Sequence, residues 1–94
     1  MNRKRVSQDL NLVFLKYGKQ NQLLKFCEES GELIQAINKY EGGTRPIEAI
    51  YEELADTQLM LDQIKEMYTA EEKDLDSRYM EKLQRVLRII HEGN

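Results

Sequence analysis

Four acidic residues have the types and the spacing that a divalent metal site needs. Glu29 and Glu32 form one pair, Glu53 and Asp56 form another, and the members of each pair are three positions apart. On an α-helix this spacing places both side chains on one face, about one turn apart. Carboxylate ligands suit Mg²⁺ or Mn²⁺, which take the rest of their coordination shell from water and phosphate oxygens. The sequence therefore predicts a Mg²⁺ site, with Mn²⁺ as a substitute.

Both pairs fall on segments whose apolar residues recur at helical spacing. At about 100° per residue, Glu29 and Glu53 lie inside the apolar arcs of their helices, and Glu32 and Asp56 lie about 60° away at the edges. A carboxylate on a packing face costs on the order of several kcal/mol unless it is paired, neutralised or bound to metal. One such pair alone would be an ordinary surface feature, but two matched pairs favour a shared site. The predicted arcs contain Leu23, Phe26, Leu33, Ile34, Ala36 and Ile37 on one helix, and Ile50, Leu54, Met60, Leu61 and Ile64 on the next.

Helix-forming residues dominate the chain and predict an all-α fold, a single domain of four helices over residues 1–94. The short connection at Gly42 and Gly43 predicts an antiparallel hairpin of the second and third helices, which brings the acid pairs together. The sequence leaves undecided whether residues 1–6 form a flexible tail and whether the last helix breaks near residues 74–77. The predicted helices are Ser7–Tyr17 with Ser7 as its N-cap, Lys19–Tyr40, a third that is capped by Thr44 with Pro46 in its first turn and ends near Tyr68, and Ala70–His91 with Thr69 and Glu72 as a capping box.

Composition limits the partners and the surroundings of the chain. The net charge of -3 and the pI near 5.2 argue against nucleic-acid or anionic-membrane partners. No apolar stretch approaches the ~18 residues of a membrane span, and no signal-peptide core follows the basic start, so we expect a cytoplasmic protein. The single cysteine, Cys27, excludes an intramolecular disulfide and is expected to be buried. Because 94 residues enclose little interior, we expect a second subunit to complete the fold.

Two motifs carry a resemblance to a known family. The segments Glu28-Glu29-Ser30-Gly31-Glu32-Leu33 and Glu52-Glu53-Leu54-Ala55-Asp56 resemble the E-E-x-x-E and E-x-x-D motifs of the MazG-like all-α nucleoside triphosphate pyrophosphohydrolases. The resemblance is specific over residues 22–65. It implies that Glu29, Glu32, Glu53 and Asp56 hold Mg²⁺. It also implies a house-cleaning enzyme that cleaves nucleoside triphosphates to a monophosphate and pyrophosphate, assembled as a homodimer or homotetramer.

The resemblance also indicates where substrate phosphates bind. The family commonly carries basic residues on a later helix, and Lys82, Arg85 and Tyr79 occupy a comparable place. Lys25 flanks Glu29 one turn earlier and is a further candidate. Either Glu32 or Glu53 is expected to act as general base, and the sequence does not choose between them. Because no Gly-rich phosphate loop is present, metal and side chains must hold the phosphates.

Three alternatives differ in chemistry from this interpretation. A di-iron bundle would add a Glu-x-x-His motif on two helices, and the sole histidine, His91, lies far from both acid pairs. A phosphoribosyl-ATP pyrophosphohydrolase would share the fold and the metal site but take another substrate. A noncatalytic helical module would use the same acids to bind a basic partner or to control its own assembly.

Overall fold

The computed structural model describes residues 2–93, which form four α-helices. These are α1 (Arg3–Tyr17), α2 (Lys19–Glu41), α3 (Ile47–Met67) and α4 (Glu72–His91). No β-strand occurs within the described residues, so the predicted all-α, four-helix fold is confirmed. The α2–α3 contact is the most extensive in the molecule, which confirms the predicted hairpin core. The first residue of the predicted tail and the last residue of the predicted domain, positions 1 and 94, lie outside the described residues.

Two contacts show that α2 and α3 run antiparallel. Lys19, which begins α2, places its Nζ 4.2 Å from the ring centroid of Tyr68, which directly follows α3. Near the middle of the hairpin, Thr57 Oγ1 donates a hydrogen bond of 3.4 Å to the backbone carbonyl of Glu29. The turn between the helices contains Gly43 with a φ of 78°, a left-handed conformation that glycine adopts without steric cost. This register places Glu29 beside the acidic stretch of α3.

Polar contacts attach α1 to α3. Ser7 Oγ donates to Glu66 Oε1 at 2.7 Å, and Asn11 Nδ2 donates to Glu66 Oε2 at 3.1 Å. Ser7 is therefore not the N-cap, and that prediction was wrong. The side chain of Asn2 caps the helix instead by accepting a hydrogen bond from the Arg5 amide at 3.1 Å. Residues 3–6 belong to α1 and are not a tail.

The predicted start of α3 was also wrong. Thr44 Oγ1 donates to the carbonyl of Lys39 at 3.1 Å, so Thr44 closes the end of α2 and does not cap α3. The helix begins at Ile47, after Pro46 in an extended conformation. A threonine hydroxyl can bond to several nearby backbone groups. Here it bonds to a carbonyl in the last turn of α2 and not to an amide at the start of α3. The predicted span of α2 agrees with the structure to within one residue.

The capping box predicted before α4 does not form. Thr69 Oγ1 donates to the carbonyl of Tyr68 at 2.8 Å, and Thr69 itself has a φ of 50°. This positive φ turns the chain away from a helical start, and α4 begins at Glu72. The helix then continues through residues 74–77, so the break considered there does not occur.

The buried interior is small and belongs to α1, α2 and α3. Within residues 2–93, the buried hydrophobic side chains are Leu10, Ala36, Ala49 and Met60. In the same range, no Cα atom of α4 lies within 8 Å of a Cα atom of the other helices. The radius of gyration of 16.5 Å exceeds the roughly 12 Å expected for a compact chain of this length. α4 therefore stands apart from a three-helix body.

Several residues that the helical arcs place at the packing face are exposed. They are Ile34, Ile37, Leu54 and Leu61, and Cys27, predicted to be buried, is exposed as well. The arcs are wider than the strip that one neighbouring helix covers, so their outer residues stay in solvent. Across the part of the chain that the structure describes, no helix has both the length and the apolarity needed to cross a membrane.

Candidate metal centre

Three acidic side chains meet between α2 and α3. Glu29, Glu53 and Asp56 each bring one carboxylate oxygen within 4.8 Å of the oxygens of the other two. Glu29 is buried, Glu53 is half-buried and Asp56 is exposed, so the cluster runs from the helix interface out to solvent. We call these three residues the acidic cluster. Its inner oxygens are shielded from water, whereas its outer side is open to solvent.

Glu32, the fourth predicted ligand, lies at the rim of this cluster. Its side chain is exposed, and its oxygens are not among the mutually close ligand atoms. Its charge nevertheless acts on Glu53, whose pKa it raises. The structure thus brings all four predicted acids to one location, three of them in close contact and Glu32 beside them.

Two oxygens of the cluster are buried without a hydrogen-bond partner among the described residues. They are Glu29 Oε2 and Glu53 Oε2. Glu29 is only 8% exposed, so water has little access to its carboxylate. A buried acceptor without a donor costs about 1–3 kcal/mol, and more when it is charged. A divalent cation between the helices would satisfy both oxygens, and a carboxylate-only donor set fits Mg²⁺ or Mn²⁺.

The electrostatics of the cluster also favour a bound cation. Burial raises the pKa of Glu53 above its ordinary value of 4.5, and repulsion from Glu32, Asp56 and Glu29 raises it further. Lys25 Nζ lies 3.6 Å from Glu29 Oε1. Because the lysine side chain is 54% exposed, solvent screens its charge, and Lys25 offsets the negative charge of the cluster only in part. A bound divalent ion would reverse the electrostatic balance and favour the ionised carboxylates.

The predicted phosphate-binding residues divide into two groups. Lys25 lies at the acidic cluster, in contact with Glu29. Lys82, Arg85 and Tyr79 are exposed on α4, which does not approach the α2–α3 hairpin within the described part of the chain. One chain by itself therefore does not bring these three side chains to the acids. Sequence periodicity indicates which face of α4 is apolar, but it does not indicate which helix that face packs against.

Two buried amides in the same helix interface were not anticipated. Gln22 and Gln63 are 7% and 2% exposed. Gln63 Nε2 contacts Met60 Sδ at 3.5 Å, and its Oε1 has no hydrogen-bond partner within residues 2–93. The sequence did carry a signal, because Gln22 lies seven residues before Glu29 and Gln63 seven residues after Asp56, on the same helical faces. The polar interior of the hairpin therefore extends beyond the acids.

The fold and the cluster define a class, an all-α protein with a candidate divalent metal centre inside a helical hairpin. No protein-family model, curated protein or solved structure matches the chain. The function is therefore inferred from the geometry of the acids and from the sequence motifs that contain them.

Proposed function

We propose that this protein is a Mg²⁺-dependent nucleoside triphosphate pyrophosphohydrolase, which cleaves the α–β phosphate bond and releases a nucleoside monophosphate and pyrophosphate. The observation that carries the metal site is the buried, unpartnered carboxylate oxygen of Glu29 beside Glu53 and Asp56. The nucleotide substrate is supported by the motif resemblance to the MazG-like family. That resemblance also supports a house-cleaning role.

In this proposal, Glu29, Glu53 and Asp56 hold Mg²⁺, with Glu32 as a fourth ligand from the rim. The bound cation would neutralise phosphate charge and lower the pKa of a water ligand. Oxygen ligands from two helices fit this ion because the hairpin register brings them within 4.8 Å of one another. A phosphoribosyl-ATP substrate would use the same ligands, so the geometry of the acids does not separate these two activities.

The protein's own groups move the proton and hold the substrate. Water attacks the α-phosphorus. The bond from this phosphorus to the oxygen that bridges the α- and β-phosphates breaks, and pyrophosphate leaves with the electron pair of that bond. Glu32 is exposed beside Glu53, so either carboxylate can accept the proton that the water loses. Lys25 presents its ammonium at the same place, where it would pair with phosphate oxygens.

Assembly and location are part of the same proposal. A homodimer or homotetramer is supported by the small interior and by the many exposed apolar side chains. Within a larger assembly, basic residues of α4 from another copy are candidates to approach the acidic cluster. A cytoplasmic location belongs to the same proposal and is supported by the acidic composition of the chain.

The direct test is pyrophosphate release from a panel of ribonucleoside and deoxyribonucleoside triphosphates, with phosphoribosyl-ATP included. We expect turnover with Mg²⁺ or Mn²⁺ and none after chelation. Turnover of phosphoribosyl-ATP alone would replace the proposed substrate but keep the metal centre. No turnover of any nucleotide, together with no stoichiometric Mg²⁺ or Mn²⁺ binding by titration calorimetry, would overturn the proposal and favour a noncatalytic interaction module.

A further inference from the structure

One hydrogen bond joins α2 to α3 at the level of the acidic cluster. Thr57 Oγ1 donates to the backbone carbonyl of Glu29 at 3.4 Å, and the bond is partly shielded from solvent. Apart from contacts among the acids themselves, no other hydrogen bond and no ion pair links these two helices across residues 2–93. Elsewhere the helices meet through packed side chains and, at the open end of the hairpin, through Lys19 above the Tyr68 ring.

The position of Thr57 connects this bond to three of the proposed metal ligands. Thr57 directly follows Asp56 in the sequence. At about 100° per residue, it lies about 40° from Glu53 around α3 and one turn further along. The carbonyl that accepts its proton belongs to Glu29, the ligand on α2. The bond therefore links the backbone that carries Glu29 to the segment of α3 that carries the other two acids.

The direction of the Thr57 hydroxyl is informative. A threonine inside a helix can donate its proton to the carbonyl four residues earlier in the same helix, which here would be that of Glu53. The hydroxyl instead points to α2. Glu29 lies in the interior of α2, where each carbonyl also accepts the helical bond from the amide four residues on. The Thr57 bond is thus additional to the bonds within each helix, and it provides a link between the two helices.

Apolar packing fixes the sliding of one helix along another only weakly. The hydrophobic effect is non-directional, and small sliding movements of packed helices are one of the ways in which proteins change shape. Carboxylate oxygens within 4.8 Å of one another also repel in the absence of a cation, which favours displacement of the helices at this level. A hydrogen bond to one particular backbone carbonyl opposes both kinds of movement.

The coordination chemistry of Mg²⁺ makes the register of the two helices important. Mg²⁺ requires near-octahedral geometry with oxygens at about 2.0–2.1 Å, whereas Ca²⁺ accepts about 6–8 oxygens at about 2.3–2.6 Å in flexible arrangements. Sliding α2 along α3 by a fraction of a turn moves Glu29 relative to Glu53 and Asp56. Such a movement weakens binding of the smaller, stricter ion more than binding of the larger one.

We propose that Thr57 is a positioning residue of the metal centre, and that its hydroxyl holds α2 against α3 so that Glu29 meets Glu53 and Asp56 in the geometry that Mg²⁺ requires. This inference rests on the metal centre of the proposed function, but not on the identity of the nucleotide. Thr57 donates its proton to the backbone and acts through the three acids, so it is not itself a ligand.

The test is titration calorimetry of the full-length chain with Mg²⁺ and, separately, with Ca²⁺. Thr57→Val removes the hydroxyl and keeps the branched shape, whereas Thr57→Ser keeps the hydroxyl. We expect Thr57→Val to bind Mg²⁺ about tenfold more weakly than the wild type, the lower end of the range for groups that orient metal ligands. We expect its Ca²⁺ affinity to stay within about twofold of the wild type. Thr57→Ser should keep its Mg²⁺ affinity within about threefold.

Thr44→Val is the matched control. Thr44 Oγ1 also donates to a backbone carbonyl, that of Lys39 at 3.1 Å, but at the end of α2 and outside the helix interface. This variant is expected to bind both ions as the wild type does. Urea denaturation without metal checks the fold, and Thr57→Val is expected to unfold close to the wild-type midpoint because the Glu29 carbonyl keeps its helical bond.

Three results would overturn the positioning role and leave the metal centre in place. The first is wild-type Mg²⁺ affinity in Thr57→Val. The second is an equal loss of Mg²⁺ and Ca²⁺ affinity, because a general loosening of the fold weakens both ions. The third is an equal loss in Thr57→Ser, because the hydroxyl would then not be the group responsible. A wild-type chain that binds no divalent ion would instead remove the metal centre, and this inference with it.

Discussion

The α2–α3 hairpin and α4 differ in where they place polar and apolar side chains. In the hairpin, Glu29 and Gln63 are buried between the helices, while Ile34 and Leu54 are exposed. In α4 the apolar and polar faces are cleanly separated, but the apolar face is open to solvent. A helix that buries charge departs from ordinary packing and is a candidate for chemistry. A helix that follows the packing pattern and lacks a partner is a candidate for assembly.

The largest expected effect comes from neutralising one acid of the hairpin. Glu53→Gln keeps the shape of the side chain and removes a charge that the neighbouring acids repel, so the fold should be kept. The amide that replaces the carboxylate would no longer supply an anionic ligand. We expect Mg²⁺ affinity and turnover to fall by more than the roughly 100-fold that loss of an outer partner of a metal site causes. Titration calorimetry and pyrophosphate release measure the two effects.

Glu52→Gln is the matched control, because Glu52 is exposed and lies next to Glu53 in α3. The control should bind metal and turn over nucleotide as the wild type does. Equal activity of Glu53→Gln and Glu52→Gln would remove Glu53 from the metal centre and weaken the contrast between the hairpin and α4.

Core truncation gives the next largest effect and compares the stability of the two regions. Met60 is 3% exposed in the hairpin, and Met60→Ala is expected to lower the free energy of unfolding by about 2–5 kcal/mol. Leu87 on α4 is 43% exposed, and Leu87→Ala is expected to cost less than about 1 kcal/mol in dilute protein. Urea denaturation at several protein concentrations measures both costs.

The effect of protein concentration on the stability loss of Leu87→Ala shows whether α4 is covered by another copy. If α4 is covered by a second copy, the loss of unfolding free energy caused by Leu87→Ala increases with protein concentration. The loss caused by Met60→Ala includes a part from packing within one chain, and that part does not change with concentration. Equal costs in dilute protein would mean that α4 packs on its own chain in solution as firmly as the hairpin does.

Local periodicity was enough to predict four helices in the right order and the buried position of Glu29, but not where α1, α3 and α4 begin. Glu29 lies within the apolar arc of its helix, between Ala36 and Leu33, and the structure buries it there, although Ile37 of the same arc is exposed. The hydrogen-bond partners of the hydroxyl groups were harder to predict, because the spacing of apolar residues along a helix does not indicate them. Ser7 binds Glu66, which is 59 positions away, and Thr44 closes the helix before it.

The apolar residues show a second limit of the sequence. An arc of apolar residues indicates a packing face, but it does not indicate how much of that face a neighbour covers. Cys27 and Ile37 therefore look internal in sequence and are exposed in the structure. The basic residues of α4 could be assigned to phosphate binding only by resemblance, because nothing in their spacing locates α4 relative to the acidic cluster.

A smaller effect concerns the pH dependence of the hairpin. The pKa of Glu53 is raised above its ordinary value of 4.5 by burial and by the neighbouring acids. The folded state therefore holds a proton that the unfolded state releases, and without metal the stability falls as the pH rises from about the ordinary value through the raised pKa. Mg²⁺ needs the ionised ligand, so its affinity rises over the same interval.

Thermal unfolding between pH 4.5 and neutrality, with and without Mg²⁺, measures this difference. Glu53→Gln serves as the reference, because subtracting its pH profile from that of the wild type leaves the contribution of the Glu53 carboxyl. We expect the subtracted stability without metal to decrease toward neutral pH and the gain in stability on adding Mg²⁺ to increase. A subtracted profile that rises with pH without metal would contradict the sign of the pKa shift.

The smallest expected effect compares one cation from each region. Lys25 contacts Glu29 with a half-exposed side chain. Exposed ion pairs are worth at most about 1 kcal/mol. Lys25→Gln should therefore raise KM by no more than about fivefold and leave kcat nearly unchanged. Lys82→Gln should leave KM unchanged if Lys82 stays as far from the acids in the assembled protein as it does in one chain. Steady-state kinetics of both variants therefore locates α4 during turnover. A larger KM increase for Lys82→Gln than for Lys25→Gln would mean that α4 reaches the acidic cluster, because only proximity to the substrate phosphates lets a lysine outside the hairpin contribute to their binding.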